Sequence, residues 1–466
     1  MQKDHDVDDD GDKHAAPAHF LDKPKGSTGR AGVFVPVFFA RGPAATLNAV
    51  HVPEARLAEA LGLAEAIDLQ VVASGLAPLR AIRPATLIGT GKVAELRGIV
   101  EAEHIEVMVI DYPLSPVQQR NLEKELKCKV LDRTGLILEI FGKRAKTAEG
   151  RLQVELANLT YAKSRLVRAW THLERQRGGA GFLGGPGETQ VELDKRMLQD
   201  QIDAIKLDLE KVKRTRALHR EGRSKVPYPV AALVGYTNAG KSTLFNTLTG
   251  AGVFAKNLLF ATLDPTMREV KLASGRRVIL ADTVGFISEL PTMLIAAFRA
   301  TLEEVLEADL ILHVRDMASE ESDAQRVDVL KVLGELGIAV EGPECKVLEV
   351  WNKADLLGPE RVAELRLRAA REVLGAHVVS AVTGDGVAEL LAAVDARVAV
   401  ADETVTLEVE PGEGKFIAWL YQNAEVLERG DSEDGRVRMV VRVDKTRRGR
   451  LEARVKAIGE AGVRRV

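Results

Sequence analysis

The chain reads as an α/β protein organised around a doubly wound, mostly parallel sheet, preceded by a small α/β domain and a helical hairpin and followed by a small α/β appendage. Three observations predict this. Short apolar runs at 230–234, 277–281, 310–314 and 346–350 alternate with amphipathic stretches, as in a parallel sheet covered by helices on both faces. A second set of buried runs, 33–39 and 106–111, is separated by helical patterns at 53–67 and 115–127. Finally, 466 residues exceed what one core sustains and imply about three domains.

Composition sets the boundaries. Residues 1–29 form an acidic tail, read as disordered; His5, His14 and His19 lie in it, but nothing there would hold metal-ligand geometry against chain entropy. A small α/β domain is expected over 30–142. From 143 to 226 the pattern is helical, and residues 143–177 carry nine Lys or Arg against three Glu, an excess suited to a polyanion. Leu152, Leu156 and Leu159 fall at helical spacing, as do Leu198, Ile202, Ile205, Leu209 and Val212. Both stripes are expected to meet in an antiparallel hairpin tipped by residues 178–187, whose six glycines and one proline exclude a helix. Pro227-Tyr-Pro229 opens a domain over 227–400, and 401–466 forms the appendage.

The formal charge of −3 hides this segregation. Cys128 and Cys345 stand alone, far from disulfide or zinc spacing, which fits a reducing compartment. The absence of a run of about 18 apolar residues, together with a charged start, points to a cytoplasmic protein without a membrane span.

Gly235-Tyr236-Thr237-Asn238-Ala239-Gly240-Lys241-Ser242, continued by Thr243, follows the first strand of the central domain and leads into a helix. Backbone amides of such a loop, and the positive end of the helix dipole, suit phosphate. Lys241 is placed to reach the β and γ phosphates, and the Ser242 hydroxyl to bind Mg²⁺. Asp282, opening Asp282-Thr283-Val284-Gly285, follows a strand toward the same point; its carboxylate suits the metal shell, and the Gly285 amide can sense a γ phosphate. A switch loop between them should offer a second hydroxyl to Mg²⁺, from Thr262 or Thr266.

Downstream, Asn352-Lys353-Ala354-Asp355 selects guanine: Asp355 can accept from N1–H and the exocyclic amine, whereas adenine would leave that carboxylate unpaired. Asn352 and Lys353 are expected to frame the base, and the Ser380-Ala381 backbone to meet its oxygen. GTP and GDP are therefore the ligands expected, with Mg²⁺. After Gly285, where many such switches carry a water-orienting glutamine, this chain has Phe286, so the isolated domain is expected to hydrolyse GTP slowly. Thr90-Gly91-Lys92 resembles a phosphate turn only superficially, and a helix start explains it equally well.

These motifs, with Ile88-Gly-Thr-Gly-Lys92, Leu131-Asp-Arg-Thr-Gly-Leu-Ile-Leu138, Glu149-Gly-Arg-Leu-Gln-Val-Glu-Leu156, Gly178-Gly-Ala-Gly181, Gly185-Pro-Gly-Glu-Thr-Gln190 and Phe260-Ala261-Thr262-Leu263-Asp264-Pro-Thr266, resemble the HflX family of ribosome-associated GTPases over residues 89–387. Asp282-Thr-Val-Gly-Phe-Ile287 matches too, phenylalanine included. The resemblance implies a Mg²⁺-dependent GTPase that binds the large ribosomal subunit and its RNA, inserts the glycine-rich tip near the peptidyl transferase region, and splits stalled or idle ribosomes under stress. It makes Thr262 the switch ligand, places Lys241, Thr262 and Gly285 in catalysis, and adds Phe260, Ala261, Leu263 and Asp264 to the nucleotide site. It also implies an ATP-related activity of the amino-terminal domain. Met267, Arg315 and the acidic tail depart from the family pattern. A monomer is expected. Two other readings stand beside this one: an RNA-binding assembly scaffold with incidental turnover, and an ATP-dependent RNA remodeller.

Overall fold

The computed structural model describes residues 29–38, 51–176, 190–223, 228–250, 259–260, 266–288, 299–342, 344–372, 375–399, 402–432, 434–459 and 462–465. Contacts divide the chain into two compact units, residues 1–40 with 57–202 and residues 41–56 with 203–466.

The first unit holds β1 (Arg30–Phe38), most of α1 (Pro53–Ala66), β2 (Gln70–Leu79), α2 (Thr90–Glu103), β3 (Val107–Ile110), α3 (Pro116–Leu126), β4 (Lys129–Asp132), α4 (Arg133–Arg144) and α5 (Ala148–Gln176). Its sheet is parallel throughout, in the order β2-β1-β3-β4. Local chemistry sets the helix starts. Ser115 accepts from the Gln118 amide while the Gln118 side chain accepts from the Ser115 amide, and Pro116 supplies a preset φ. Asp132 caps α4 by accepting from the Gly135 amide at 2.7 Å.

The buried stripe of α5 differs from the expected one. Val154, Ala157 and Tyr161 are buried, while Leu152, Leu156 and Leu159 are only half-buried. The helix is rotated because the Tyr161 hydroxyl donates to Asp132 at 2.7 Å, drawing that face inward. On α6 (Gln190–Arg223), Ile202, Ile205 and Leu209 are buried as their spacing predicts. Lys163 of α5 donates to the Gln199 side chain of α6. The tip, residues 178–187, lies outside the described residues.

In the second unit a six-stranded sheet runs β10-β9-β8-β5-β7-β6, from β5 (Val230–Gly235), β6 (Thr266–Lys271), β7 (Arg277–Asp282), β8 (Leu310–Asp316), β9 (Val347–Asn352) and β10 (Ala376–Val378). All pairs are parallel except β6 against β7. Between them lie α7 (Lys241–Thr249), α8 (Arg299–Leu306), α9 (Ser322–Glu335), α10 (Pro359–Ala369) and α11 (Val387–Ala399). One face buries Leu233, Leu312, Val314, Leu348 and Val350 against α7 and α11.

The other face carries charge, because alternate strand residues point the opposite way. Arg315 pairs there with the fully buried Glu349 at 2.9 Å and with Asp323, and Trp351 Nε1 donates to Glu349 at 2.7 Å. This explains how Arg315 is tolerated at a buried strand position: its carboxylate partner comes from the neighbouring strand.

Residues 41–56 fall with the second unit, although the sequence placed them in the amino-terminal domain. His51, the first described residue of that segment, is bonded to Glu321 (2.7 Å) and to Asp328 of α9 (2.8 Å). Burial opposes the charged imidazole, but the two carboxylates prevail and raise its pKa.

The carboxy-terminal segment folds as β11 (Asp402–Val409), α12 (Gly414–Asn423), β12 (Glu425–Asp431), β13 (Val437–Asp444), α13 (Lys445–Ile458) and β14 (Val463–Arg465). Its antiparallel sheet has the order β12-β13-β11-β14, the split βαββαβ arrangement. Val405, Leu407, Val409, Met439 and Val441 share its buried face.

Candidate nucleotide site

β5 delivers the chain into a loop that its glycines make possible. A Cβ on Gly235 would stand 2.1 Å from the Val314 carbonyl, and one on Gly240, at φ +90°, would stand 2.3 Å from Asn352 Nδ2. Gly240 caps α7, so the helix begins at Lys241 as the sequence predicts. The amides of Asn238, Gly240 and Lys241 donate to no backbone carbonyl among the described residues, leaving donors at the positive end of a helix dipole.

Lys241 is buried, and its ammonium donates to the Gly235 (3.0 Å) and Tyr236 (2.7 Å) carbonyls. Burial lowers its pKa to about 8, with Asp282 pulling the other way. Ser242 donates to Asp282 Oδ2 at 2.7 Å, so the two oxygens assigned to Mg²⁺ lie side by side. Thr237 Oγ1 is buried in the same loop with no hydrogen-bond partner among the described residues, and a Cβ on Gly285 would come within 3.0 Å of Lys241 Nζ. This small space, lined by an ammonium, hydroxyls and unspent amides, fits a phosphate chain and a hard divalent ion.

The strand end after Asp282 is zipped to the loop. Thr237 N–H donates to the Phe286 carbonyl (2.7 Å) and Phe286 N–H to the Gly235 carbonyl (3.1 Å). The Phe286 ring is buried, and Thr283 Oγ1 donates to the Leu233 carbonyl at 2.6 Å. Val284 is buried as well, whereas the Gly285 amide donates to no acceptor among the described residues.

Asn352, expected to frame the base, is a bridge in the fold. Buried at the end of β9, it donates through Nδ2 to the Ala239 carbonyl (2.9 Å) and accepts at Oδ1 from the Ala381 amide (3.0 Å). One side chain thus ties the phosphate loop to the Ser380-Ala381 loop. Within the Ser380-Ala381 backbone, expected to meet the base oxygen, the Ala381 amide donates to Asn352. Lys353, at φ 66°, pairs with Asp316 at 2.8 Å. Ala354 donates its amide to the Val379 carbonyl, and Asp355 stands exposed, accepting from Ser380 Oγ at 2.6 Å. Thr247, which the sequence reading missed, donates to the Ala381 carbonyl at 2.6 Å. Thr243 lies one residue past Ser242 in α7.

Thr262, Ala261, Leu263 and Asp264 lie outside the described residues. Phe260 is buried with φ 55°, and the rival Thr266 sits directly opposite Asp282 in the β6–β7 ladder.

The basic residues of the 143–177 stretch behave unequally. Arg165 is mostly buried, reaching Asp132 at 3.3 Å and bonding Tyr161 and Gln119, so it serves the fold. Lys163 faces Gln199, and the Arg168 side chain lies outside the described set. Thr90-Gly91-Lys92 proves to be a helix start: Gly89 caps α2, and Lys92 pairs with Glu95 at 2.7 Å.

Family models match nearly the whole chain: "GTP-binding GTPase N-terminal" over residues 54–142, "GTP-binding GTPase Middle Region" over 144–223, "50S ribosome-binding GTPase" over 230–353 and "HflX C-terminal domain" over 365–462. GTPase HflX of Magnetococcus marinus is 48% identical over 405 residues, 86% of this chain and 91% of that protein. GTPase HflX of Escherichia coli is 45% identical over 365 residues, 78% and 84% of the two chains. Among solved structures, a GTP-binding protein from Sulfolobus solfataricus in complex with GDP aligns over 79% of this chain and 98% of its own, at 23% identity and TM-score 0.42. Together, the four family models in sequence order and the two near-full-length relatives show that the chain belongs to the HflX family of GTPases.

Proposed function

We propose that this GTPase is a switch that acts on the large ribosomal subunit and uses GTP binding and hydrolysis to split stalled or idle ribosomes under stress. The observation that carries the reading is the bridge made by Asn352, which makes the guanine motif and the phosphate loop one mechanical piece. A nucleotide held at both ends stiffens that piece, and the Phe286 backbone pairing passes its state to the strand end beyond Asp282. Lys241 holds the β and γ phosphates, Asp355 selects the guanine, and the Gly285 amide reads the γ phosphate.

Ser242 and Asp282 would hold Mg²⁺ with a hydroxyl from the segment around Thr262; bound there, the ion offsets charge on the phosphate oxygens. The buried Phe286 ring cannot orient the attacking water, so the ribosome supplies or positions the group that does. The basic stretch 143–177, apart from Arg165, and the glycine-rich tip at 178–187 reach ribosomal RNA, phosphate contacts giving affinity and glycine backbone allowing close approach. The protein works as a cytoplasmic monomer; among the described residues no helix is long and apolar enough to cross a membrane.

Sedimentation of 70S ribosomes with the chain and a non-hydrolysable GTP analogue tests the reading. Separation into 50S and 30S particles, absent with GDP, is the expected outcome. Intact 70S particles carrying the bound chain would refute splitting.

A further inference from the structure

A phosphate loop works through its backbone amides, so phosphate chemistry asks for no particular side chain at the loop's second position. Here that position holds Tyr236, whose ring is buried. Its hydroxyl accepts from the Ser288 amide at 2.6 Å, a contact across 52 residues with the segment that follows Asp282. Its carbonyl accepts from the Lys241 ammonium at 2.7 Å, and its backbone forms a parallel bridge with Phe286. One residue therefore touches Lys241, Phe286 and Ser288.

The ties between segment and loop differ in what they depend on. At Phe286 they are backbone bonds, from the Thr237 amide to its carbonyl and from its own amide to the Gly235 carbonyl, and any side chain at 236 would leave them intact. On their own they would let the segment pivot about Phe286. The bond at Ser288 lies two residues further on and stops that pivot, and it depends on the Tyr236 hydroxyl. Gly285 sits on the other arm. It lies so close to the loop that an added Cβ would stand 2.9 Å from Thr237 Cγ2 and 3.0 Å from Lys241 Nζ. A small swing about Phe286 would carry the Gly285 amide away from the lysine.

We propose that Tyr236 is a positioning residue for GTP hydrolysis: its hydroxyl, by holding the Ser288 amide, fixes the Gly285 amide where the γ phosphate comes to lie. The inference rests on the reading of Gly285 as the group that senses that phosphate. In this role the phenol touches no reacting atom. It acts through the backbone from Gly285 to Ser288, and so favours the triphosphate without altering how the loop grips the diphosphate.

Tyr236→Phe keeps the ring and the backbone ties and removes only the acceptor of the Ser288 amide. The full chain is titrated, with Mg²⁺, against fluorescent GDP and a fluorescent non-hydrolysable GTP analogue, and single-turnover hydrolysis is followed at saturating GTP. Expected are an unchanged GDP affinity, an analogue affinity lowered about tenfold, the scale of one buried hydrogen bond left unmade, and a rate lowered at least as much. A merely structural role would weaken both nucleotides alike. Equal loss for GDP and the analogue, an unchanged analogue affinity or an unchanged rate overturns the proposal. Gly285→Ala separates it from the reading beneath: this variant should lose analogue affinity selectively. If it keeps the wild-type ratio of analogue to GDP affinity, the reading of Gly285 fails and the proposal with it; selective loss in Gly285→Ala but not in Tyr236→Phe refutes Tyr236 alone. Hydrogen exchange of the analogue-bound wild type needs no variant. The Ser288 amide is expected to be protected, and rapid exchange there refutes the latch.

Discussion

β4 and β7 both end on a buried aspartate, Asp132 in one sheet and Asp282 in the other, yet their surroundings differ in kind. Asp132 accepts from the Leu114 and Gly135 amides, from Tyr161 and from Arg165, so protein groups exhaust its capacity. Asp282 accepts from the Ser242 hydroxyl beside a loop that also presents the Lys241 ammonium, the buried Thr237 hydroxyl and the amides of Asn238, Gly240 and Lys241, which meet no backbone carbonyl among the described residues. Two lysines repeat the contrast: Lys92 is neutralised by its own helix, whereas Lys241 is buried among carbonyls, which cannot neutralise it. A strand-end carboxylate becomes a ligand site where the fold leaves donors around it unspent, and a structural hub where it does not.

The largest expected effect lies on the functional side. Lys241→Ala should lower single-turnover GTP hydrolysis by roughly 10²–10³-fold, the scale of losing one transition-state donor, while circular dichroism shows an intact fold. On the structural side, Asp132→Ala should destabilise the first unit by about 3–5 kcal/mol, since it strands Arg165 and Tyr161, with GDP affinity unchanged. Loss of GDP binding without loss of stability would erase the distinction.

Glu349 sharpens it, because it lies in the nucleotide sheet but is satisfied like Asp132. Burial opposes its charge, yet Arg315, Trp351 and Arg326 prevail and hold the carboxyl down to about 2. The folded chain then binds fewer protons than the unfolded one below pH 4.5, so this stabilisation is complete above 4.5 and is lost as pH falls toward 2. About 3 kcal/mol should disappear across that window in acid titrations of the wild type, and not in a Glu349→Gln chain.

Next in size, Asp355→Asn should weaken GDP binding by about 10–100-fold, as expected for hydrogen bonds to a charged group, and remove the preference for guanine over adenine nucleotides. Calorimetric titration with GDP and ADP checks both. Lys92→Ala should be nearly silent, within about 1 kcal/mol of stability and without change in any nucleotide affinity. A clear loss of ATP binding in that variant would revive a phosphate site in the amino-terminal domain.

Much of this was legible in the sequence, for identifiable reasons. Strands β5, β7, β8 and β9 announce themselves as apolar runs because both of their faces are largely buried, and Gly240 marks the helix start because its φ of +90° is one that glycine adopts readily. The rotation of α5 was hidden, since a tyrosine hydroxyl reaching Asp132 in another element leaves no periodic trace. Arg315 looked anomalous until Glu349, 34 residues later, came beside it. Asn352 showed its motif but not its bridging role, which needs three distant segments at once. The partner of Arg165 was hidden too, because a basic residue on an amphipathic helix looks the same whether it faces solvent or a buried aspartate.

The most direct test is steady-state GTP hydrolysis by the full chain with and without purified 50S subunits, using Lys241→Ala as the blank. Because Phe286 is buried and cannot orient water, slow turnover alone and strong stimulation by 50S subunits are predicted. Fast turnover without ribosomes, or 50S binding that leaves the rate unchanged, would contradict a switch completed by the ribosome.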